Sequence, residues 1–287
     1  MKLSTAIGTF ERAFGMKGAI DLLADAGFDA LDFTSYYEEY STDVHSKEYY
    51  TDIRKYAEDK GLYFNQAHGP DGSSFANPER NQKRYQEVIT TMKHASYLGV
   101  KTIIVHPCQH MNYYKKGNPE KLFEYNMNFY RSLIPYCEEF GIKVALENMW
   151  QYPGMISHST CSRPEEFIQY VDELNSEWLV ACLDIGHSVV CRQQPDEFIR
   201  KLGGKRLQNL HIHDVDGIND SHTLPYFGIT DWDSVMEALA EINYTGELTY
   251  EVGGFLKEKP LDLYPQYAKL MEQTGRYLIQ KFENAKK

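Results

Sequence analysis

The sequence predicts an α/β protein, a single (β/α)8 barrel domain over residues 1–287. The first observation is the order of elements, because eight short apolar runs alternate with helix-like stretches, as in a parallel sheet. The second is the length, because eight such units in 287 residues have the size of a closed barrel. The third is that no glycine-rich nucleotide motif follows any run, which counts against a doubly wound open sheet, the alternative architecture.

The predicted strands are short and apolar, which suits strands covered on both faces. They lie at residues 3–9, 29–33, 62–67, 101–105, 143–146, 178–183, 207–212 and 247–250. The helices between them place apolar residues at helical spacing, as at Phe167, Val171 and Leu174. A glycine that can end a helix precedes several strands, at Gly27, Gly61, Gly99 and Gly141. A last helix over roughly 263–283 is expected to close the ring.

The composition excludes several classes of function. The chain has 41 acidic residues against 30 Lys and Arg, a net charge of −11. Nucleic acid and anionic membranes both need a basic face, so neither is expected as a partner. No apolar stretch has the length of a transmembrane helix or the form of a signal peptide, and the five scattered cysteines fit reduced thiols. We therefore expect a cytoplasmic protein that acts on a small molecule. Association into a homo-oligomer is left open.

Six consecutive predicted strands are each followed by a histidine or a carboxylate. These residues are His68, His106, Glu147, Asp184, His211 and Glu251. In a barrel, the carboxyl ends of the strands meet at one face, which holds the active site. Ordinary helix caps would be Ser, Thr or Asn, and this set contains none of them. The pattern therefore indicates one shared site rather than six separate caps.

Four of these residues, Glu147, Asp184, His211 and Glu251, predict a divalent metal site. Three carboxylates and one imidazole form a hard, oxygen-rich donor set, which suits Mn²⁺, Mg²⁺, Co²⁺ or Zn²⁺, and Mn²⁺ is the expected ion. Three buried carboxylates without a cation would be costly or protonated. We expect substrate contacts around this centre from His68, His106, His187, Trp150, His213, Asp220 and His222. Trp150 and Tyr152 could stack on a sugar face.

The motifs that carry a family resemblance are His106-Pro107, Glu147-Asn148, 183–187, 211–214, the stretch from Asp214 to Trp232, and Glu251. Together they resemble the xylose-isomerase-like TIM-barrel superfamily, the sugar phosphate isomerase/epimerase group, over nearly the whole chain. For members similar to D-tagatose 3-epimerase, the resemblance implies that Glu147, Asp184, His211 and Glu251 hold one divalent ion. It also implies that His187 contacts a substrate oxygen. Those epimerases have an arginine six residues after the metal histidine, where this chain has Gly217.

The resemblance implies an isomerase or epimerase of a sugar, a sugar phosphate or a keto-polyol. A metal that bridges a carbonyl and the adjacent hydroxyl acidifies the intervening C–H and stabilises an enediolate. One carboxylate removes this proton and another returns it on the opposite face, with Glu147 and Glu251 as the natural pair. A single base serving both carbons would give an aldose–ketose isomerase. Loss of water would give a lyase similar to inosose dehydratase.

A multi-zinc phosphate-ester hydrolase is the second interpretation, and a metal-holding sugar sensor without catalysis is the third. Abasic-site endonucleases of the superfamily use nine ligands for three zinc ions. The corresponding residue types are His68, His106, Glu147, Asp184, His187, His211, Asp220, His222 and Glu251. Against a DNA substrate stand the net charge and the absence of Lys and Arg from residues 214–231.

Overall fold

The computed structural model describes residues 1–34, 38–70, 77–109, 112–150 and 158–286. Its strands are β1 (Leu3–Ala6), β2 (Ala30–Thr34), β3 (Tyr63–His68), β4 (Thr102–Ile104), β5 (Lys143–Glu147), β6 (Leu179–Asp184), β7 (Leu207–His211) and β8 (Leu248–Tyr250). Its helices are α1 (Gly8–Ala26), α2 (Lys47–Asp59), α3 (Pro78–Tyr97), α4 (Asn118–Phe140), α5 (Pro164–Leu174), α6 (Ile185–Val190), α7 (Pro195–Arg206), α8 (Trp232–Glu241), α9 (Gly253–Leu256) and α10 (Tyr264–Ala285). Two 3₁₀ turns lie at Glu38–Ser41 and Leu261–Leu263.

The strands form one parallel sheet in the order β7-β6-β5-β4-β3-β2-β1-β8. The two ends of this sheet meet between β7 and β8, where Ile212 and Tyr250 form a bridge. There the Ile212 amide donates to the Thr249 carbonyl at 2.8 Å, and the Glu251 amide donates to the Ile212 carbonyl at 3.1 Å. These bonds close the ring, so the predicted (β/α)8 barrel is confirmed.

The apolar runs become strands because both of their faces are covered. All six residues of β6 are buried, with the barrel interior on one side and the helices on the other. Helix α5 turns Phe167, Tyr170, Val171 and Leu174 toward the core, as its helical spacing predicts. The core of buried residues continues from β1 to Phe282 in α10.

The boundaries follow the sequence closely except at the first strand. The predicted run 3–9 ends as a strand at Ala6, because α1 begins at Gly8 and takes the rest of the apolar segment. Gly27 has φ 99° and Gly141 has φ 64°, so both are left-handed residues that end helices, as predicted.

The described part of the chain has no helix with the length and apolar character needed to cross a bilayer. That one domain accounts for all of residues 1–287 stays a prediction.

Candidate functional site

The carboxyl end of the barrel brings together the six residues that follow the strands. His68, Glu147, Asp184 and His211 are the last residues of β3, β5, β6 and β7, while His106 and Glu251 lie just beyond β4 and β8. Donor atoms of Glu147, Asp184, His211 and Glu251 all lie within 4.8 Å of one another. The four residues selected from the sequence as metal ligands are therefore close enough to share one ion.

Glu147 is at the centre of this cluster and is fully buried. Its Oε1 lies 3.2 Å from His211 Nδ1 and 3.4 Å from His187 Nδ1. Its Oε2 faces the other side, 3.0 Å from His106 Nε2 and 3.8 Å from His68 Nε2. Burial raises the pKa of Glu147, but the charges and hydrogen bonds of His211 and His106 outweigh it and hold that pKa well below its usual range.

Glu251 approaches the same imidazole from the end of β8, the strand next to β7. Its Oε2 lies 3.2 Å from His211 Nδ1, which is also the distance from that nitrogen to Glu147 Oε1. Burial raises the pKa of Glu251, but His211 and His222 outweigh it and lower the pKa to about 2. Both glutamates are therefore carboxylates at neutral pH.

His211 is supported from inside the barrel by a polar network that the sequence analysis missed. Its Nε2 lies 3.6 Å from Oδ2 of Asp32, an aspartate in the middle of β2. Gln66 Nε2 donates to that same oxygen at 2.8 Å, and Asn209 Nδ2 donates to Gln66 Oε1 at 2.9 Å. The signal in the sequence was a buried acid inside the apolar run Ala-Leu-Asp-Phe-Thr. Because 3.6 Å is too long for a hydrogen bond, Asp32 acts on His211 as a nearby charge that favours a protonated ring.

A second cluster of possible metal ligands adjoins the first and consists of His187, His213, Asp220 and His222. His187 Nδ1 lies 2.8 Å from the Asn148 carbonyl and His222 Nδ1 lies 2.7 Å from the Glu251 carbonyl. A carbonyl oxygen can only accept, so each Nδ1 carries the proton and donates. Both Nε2 atoms then face Asp220 Oδ2, at 3.3 Å from His187 and 2.9 Å from His222.

These contacts shift the titration of both histidines. Burial lowers the pKa of His187, but Asp184 and Asp220 outweigh it and raise the pKa to about 9. Burial likewise lowers the pKa of His222, while Asp220 and Glu251 raise it to about 10. A proton or a cation between each imidazole and Asp220 is thus strongly favoured.

His213 lies between the two clusters and contacts an aspartate of each. Its Nε2 lies 2.9 Å from Asp184 Oδ2 and 3.6 Å from Asp220 Oδ1, and the side chain is fully buried. Gly186 makes room for this ring, because a Cβ at that position would lie 2.0 Å from His213 Cε1. Asn148 joins β5 to β6 beside it, since its Nδ2 donates to the Asp184 carbonyl at 2.9 Å and its Oδ1 accepts from the Asp184 amide at 2.7 Å.

The loop between β7 and α8 carries Asp220 and His222, and the buried Asp214 carboxylate holds it in place. Oδ1 accepts from Val215 N at 2.9 Å and from Thr230 N and Oγ1 at 3.1 and 2.8 Å. Oδ2 accepts from Tyr226 N at 3.0 Å and from Trp232 Nε1 at 2.9 Å. Asp214 is a positioning residue for the second cluster that the sequence analysis did not select.

Trp150 lies at the edge of the site. Its ring centroid is 6.4 Å from that of His187, and its carbonyl accepts from Gln109 Nε2 at 2.8 Å. Tyr152, the other aromatic residue selected from the sequence, lies outside the described residues.

The donor set fits a divalent cation. The first cluster offers three carboxylates and one imidazole, all buried or nearly so, within the reach of one ion. In the second cluster, the buried Asp220 Oδ1 and His213 Nδ1 have no hydrogen-bond partner among the described residues. The three carboxylates of the first cluster are charges of one sign that need an opposite charge close by, and a divalent cation would supply it.

The fold and these ligands define a class, the (β/α)8 barrels with a carboxylate–histidine site at the carboxyl face. A family model described as xylose isomerase-like TIM barrel matches residues 20–273, and the chain belongs to that family.

Similar proteins include sugar epimerases. An uncharacterised protein of Methanocaldococcus jannaschii is 29% identical over 60% of this chain, and the match spans 58% of that protein's length. The D-psicose 3-epimerase of Enterocloster bolteae is 27% identical over 82% of this chain and 76% of its own. The crystal structure of an IolI protein with a bound zinc atom has a TM-score of 0.75 at 20% identity, covering 99% of both chains. At that identity the structural likeness supports the fold.

Proposed function

We propose that this protein is a divalent-metal-dependent isomerase or epimerase of a sugar or a keto-polyol. The observation that carries the proposal is the pair Glu147 and Glu251, at the ends of β5 and β8, whose carboxylates each lie 3.2 Å from the same nitrogen of His211. The family membership and the D-psicose 3-epimerase among the relatives support the substrate class.

The metal would be held by Glu147, Asp184, His211 and Glu251. When bound, a divalent ion would polarise a substrate carbonyl and its neighbouring hydroxyl and so acidify the C–H between them. Mn²⁺ is the ion we propose, with Mg²⁺, Co²⁺ and Zn²⁺ as alternatives. The zinc atom in the IolI neighbour supports a divalent ion in this kind of barrel.

The chain's own residues supply the proton transfers. One of Glu147 and Glu251 accepts the acidified proton, and the other donates a proton to the opposite face of the carbon, which inverts it. Both pKa values lie below the usual range, so both groups begin as carboxylates. The donor therefore first takes up a proton from solvent water, and the acceptor afterwards releases the abstracted proton to solvent. We assign the polar residues around the first cluster to hydrogen bonds with substrate oxygens: His68, His106, His187, His213, Asp220 and His222. We assign Trp150 to stacking on the sugar.

Hydrogen exchange tests this proposal. The Mn²⁺-loaded protein is incubated with D-psicose, D-fructose and a panel of keto-polyols in deuterated water, and deuterium at the carbon next to the carbonyl is read by NMR. Glu147→Gln and Glu251→Gln should each reduce the exchange rate at least about a hundredfold, the usual contribution of general acid–base catalysis. The exposed Glu237→Gln is the matched control and should exchange like the wild type. Full exchange activity in either site variant would exclude the two-glutamate mechanism.

The second cluster favours a second candidate, a multi-metal phosphate-ester hydrolase. His68 and His106 beside Glu147, and His187 and His222 beside Asp220, form groups in which further metal ions could bind. Metal analysis discriminates, because one ion per chain supports the sugar enzyme and three zinc ions support the hydrolase. Hydrolysis of bis(p-nitrophenyl) phosphate without hydrogen exchange would select the hydrolase.

We expect no nucleic-acid partner, because residues 214–231 lack Lys and Arg. A cytoplasmic location stays a prediction.

A further inference from the structure

A cavity of about 420 Å³ adjoins the metal-ligand clusters between the ends of β1, β2 and β8. Its inner wall includes Glu251, His222 and Asp220, which belong to the two clusters. Its volume lies within the range of pockets that bind small molecules. A substrate that reacts beside Glu251 can therefore extend into this space.

One residue that lines the cavity has a buried hydroxyl group without a hydrogen-bond partner among the described residues. Thr34 is the last residue of β2, is 1% exposed and lines the cavity. Its Oγ1 has no hydrogen-bond partner among the residues that the structure describes. A buried hydroxyl without a partner is unfavourable, and a sugar hydroxyl placed in the cavity would supply the missing hydrogen bond.

Two cations line the same cavity from opposite ends of the chain. Arg12 lies in the second turn of α1 and Lys257 directly follows α9. Both are exposed, and both also line an adjoining groove that runs toward Tyr264. The inner wall is acidic and the chain has a net charge of −11, so these two cations distinguish the outer part of the cavity from its inner wall. Guanidinium and ammonium groups bind phosphate and carboxylate through charge-assisted hydrogen bonds.

We propose that this cavity binds the part of the substrate remote from the reacting carbons, and that Arg12 and Lys257 bind a phosphate or carboxylate group on that part. The substrate class is then an acidic sugar, either a sugar phosphate or a keto sugar acid, with Thr34 bonded to a hydroxyl between the two ends. This inference rests on the proposed function, which places the reacting carbons of the substrate beside Glu251.

Three probes that differ only at carbon 6 test the proposal: D-fructose, D-fructose 6-phosphate and D-fructuronate, which carry a hydroxyl, a phosphate and a carboxylate there. Calorimetric titration of the Mn²⁺-loaded protein should show at least one anionic probe binding at least about tenfold more tightly than D-fructose. Whichever anionic probe binds more tightly identifies the group. Arg12→Gln and Lys257→Gln should each reduce the ratio between the anionic and the neutral affinity by about tenfold. Lys259→Gln, an exposed lysine outside the cavity lining, is the matched control and should keep the ratio.

Equal affinity for the three probes would overturn the proposal, as would an unchanged ratio in both Arg12→Gln and Lys257→Gln. Circular dichroism of each variant confirms that the chain is folded. Hydrogen exchange measured on the same three probes separates this inference from the proposed function. Exchange without a preference for an anion overturns the acidic-sugar site alone, while a preference for an anion without exchange on any probe overturns the isomerase assignment and leaves the anion site standing.

Discussion

The buried carboxylate of Asp214 offers a sharp test of how the site is held together. Asp214→Asn keeps the shape of the side chain but replaces one oxygen, an acceptor, with an NH₂ group, a donor. The amide can take two orientations, and fewer hydrogen bonds are lost when the NH₂ stands at the Oδ2 position. There it faces two donors, Tyr226 N and Trp232 Nε1. The loss of an acceptor costs about 1–3 kcal/mol for a buried donor such as Trp232 Nε1 and less for the partly buried Tyr226 N, so the free energy of unfolding should fall by about 2–5 kcal/mol.

The assay for Asp214→Asn is urea and thermal unfolding followed by far-UV circular dichroism. A loss of about 2–5 kcal/mol corresponds to a Tm lowered by about 5–15 °C in a protein of this size. Asp216→Asn is the matched control, because Asp216 also accepts hydrogen bonds in this loop but is exposed, so water replaces them. Native-state hydrogen exchange should rise first in the loop 215–231. A change below about 1 kcal/mol in Asp214→Asn would refute the reasoning.

Three further predictions concern other parts of the molecule. Burial raises the pKa of Glu11 from 4.5 to about 7, although the Tyr40 hydroxyl donates to it. The folded chain therefore holds this proton more tightly than the unfolded chain, and stability falls as pH rises from about 4.5 to 7. Glu11→Gln should remove this cost, raising the free energy of unfolding at pH 8 by about 1–3 kcal/mol and leaving it nearly unchanged near pH 4; an equal effect at both pH values would contradict the cause. Removal of the metal with EDTA should lower Tm by about 5–15 °C, reversed by Mn²⁺, because an ion at a hundred to a thousand times its Kd stabilises by about 3–4 kcal/mol; an unchanged Tm after complete metal loss would count against a cation between these carboxylates. Thr34→Val should leave stability unchanged or raise it by up to about 1 kcal/mol, since the lost hydroxyl has no partner among the described residues, yet weaken the binding of D-fructose severalfold; a clear loss of stability would show that the hydroxyl is bonded within the protein.

The sequence predicts the strands and their ends well because both depend on local patterns. A strand covered on both faces must be apolar throughout, and the polar residue that follows it marks the exposed end, as at Glu147 and Asp184. The first strand was predicted too long because the apolar segment runs on into α1, and periodicity alone does not separate the two.

The supporting network is harder to predict because it depends on pairs far apart in the chain. Asn209 and Gln66 are 143 residues apart, and neither stands at a strand end that faces the site. The structure places the His213 ring 2.9 Å from Asp184 Oδ2, in space that Gly186 leaves open, and the substrate contact expected of His213 stays a prediction. The orientation of a ring against a distant glycine has no local signature.

The closure of the barrel passes through the site itself. Neighbouring strands elsewhere in the described ring share three to five residue pairs, but β7 and β8 share the single bridge between Ile212 and Tyr250. His211 and Glu251 stand on either side of this seam. An ion bound by both residues would link β7 to β8, so that binding of the ion and closure of the ring would be thermodynamically coupled. During synthesis this link can form only after β8, the last strand, has left the ribosome.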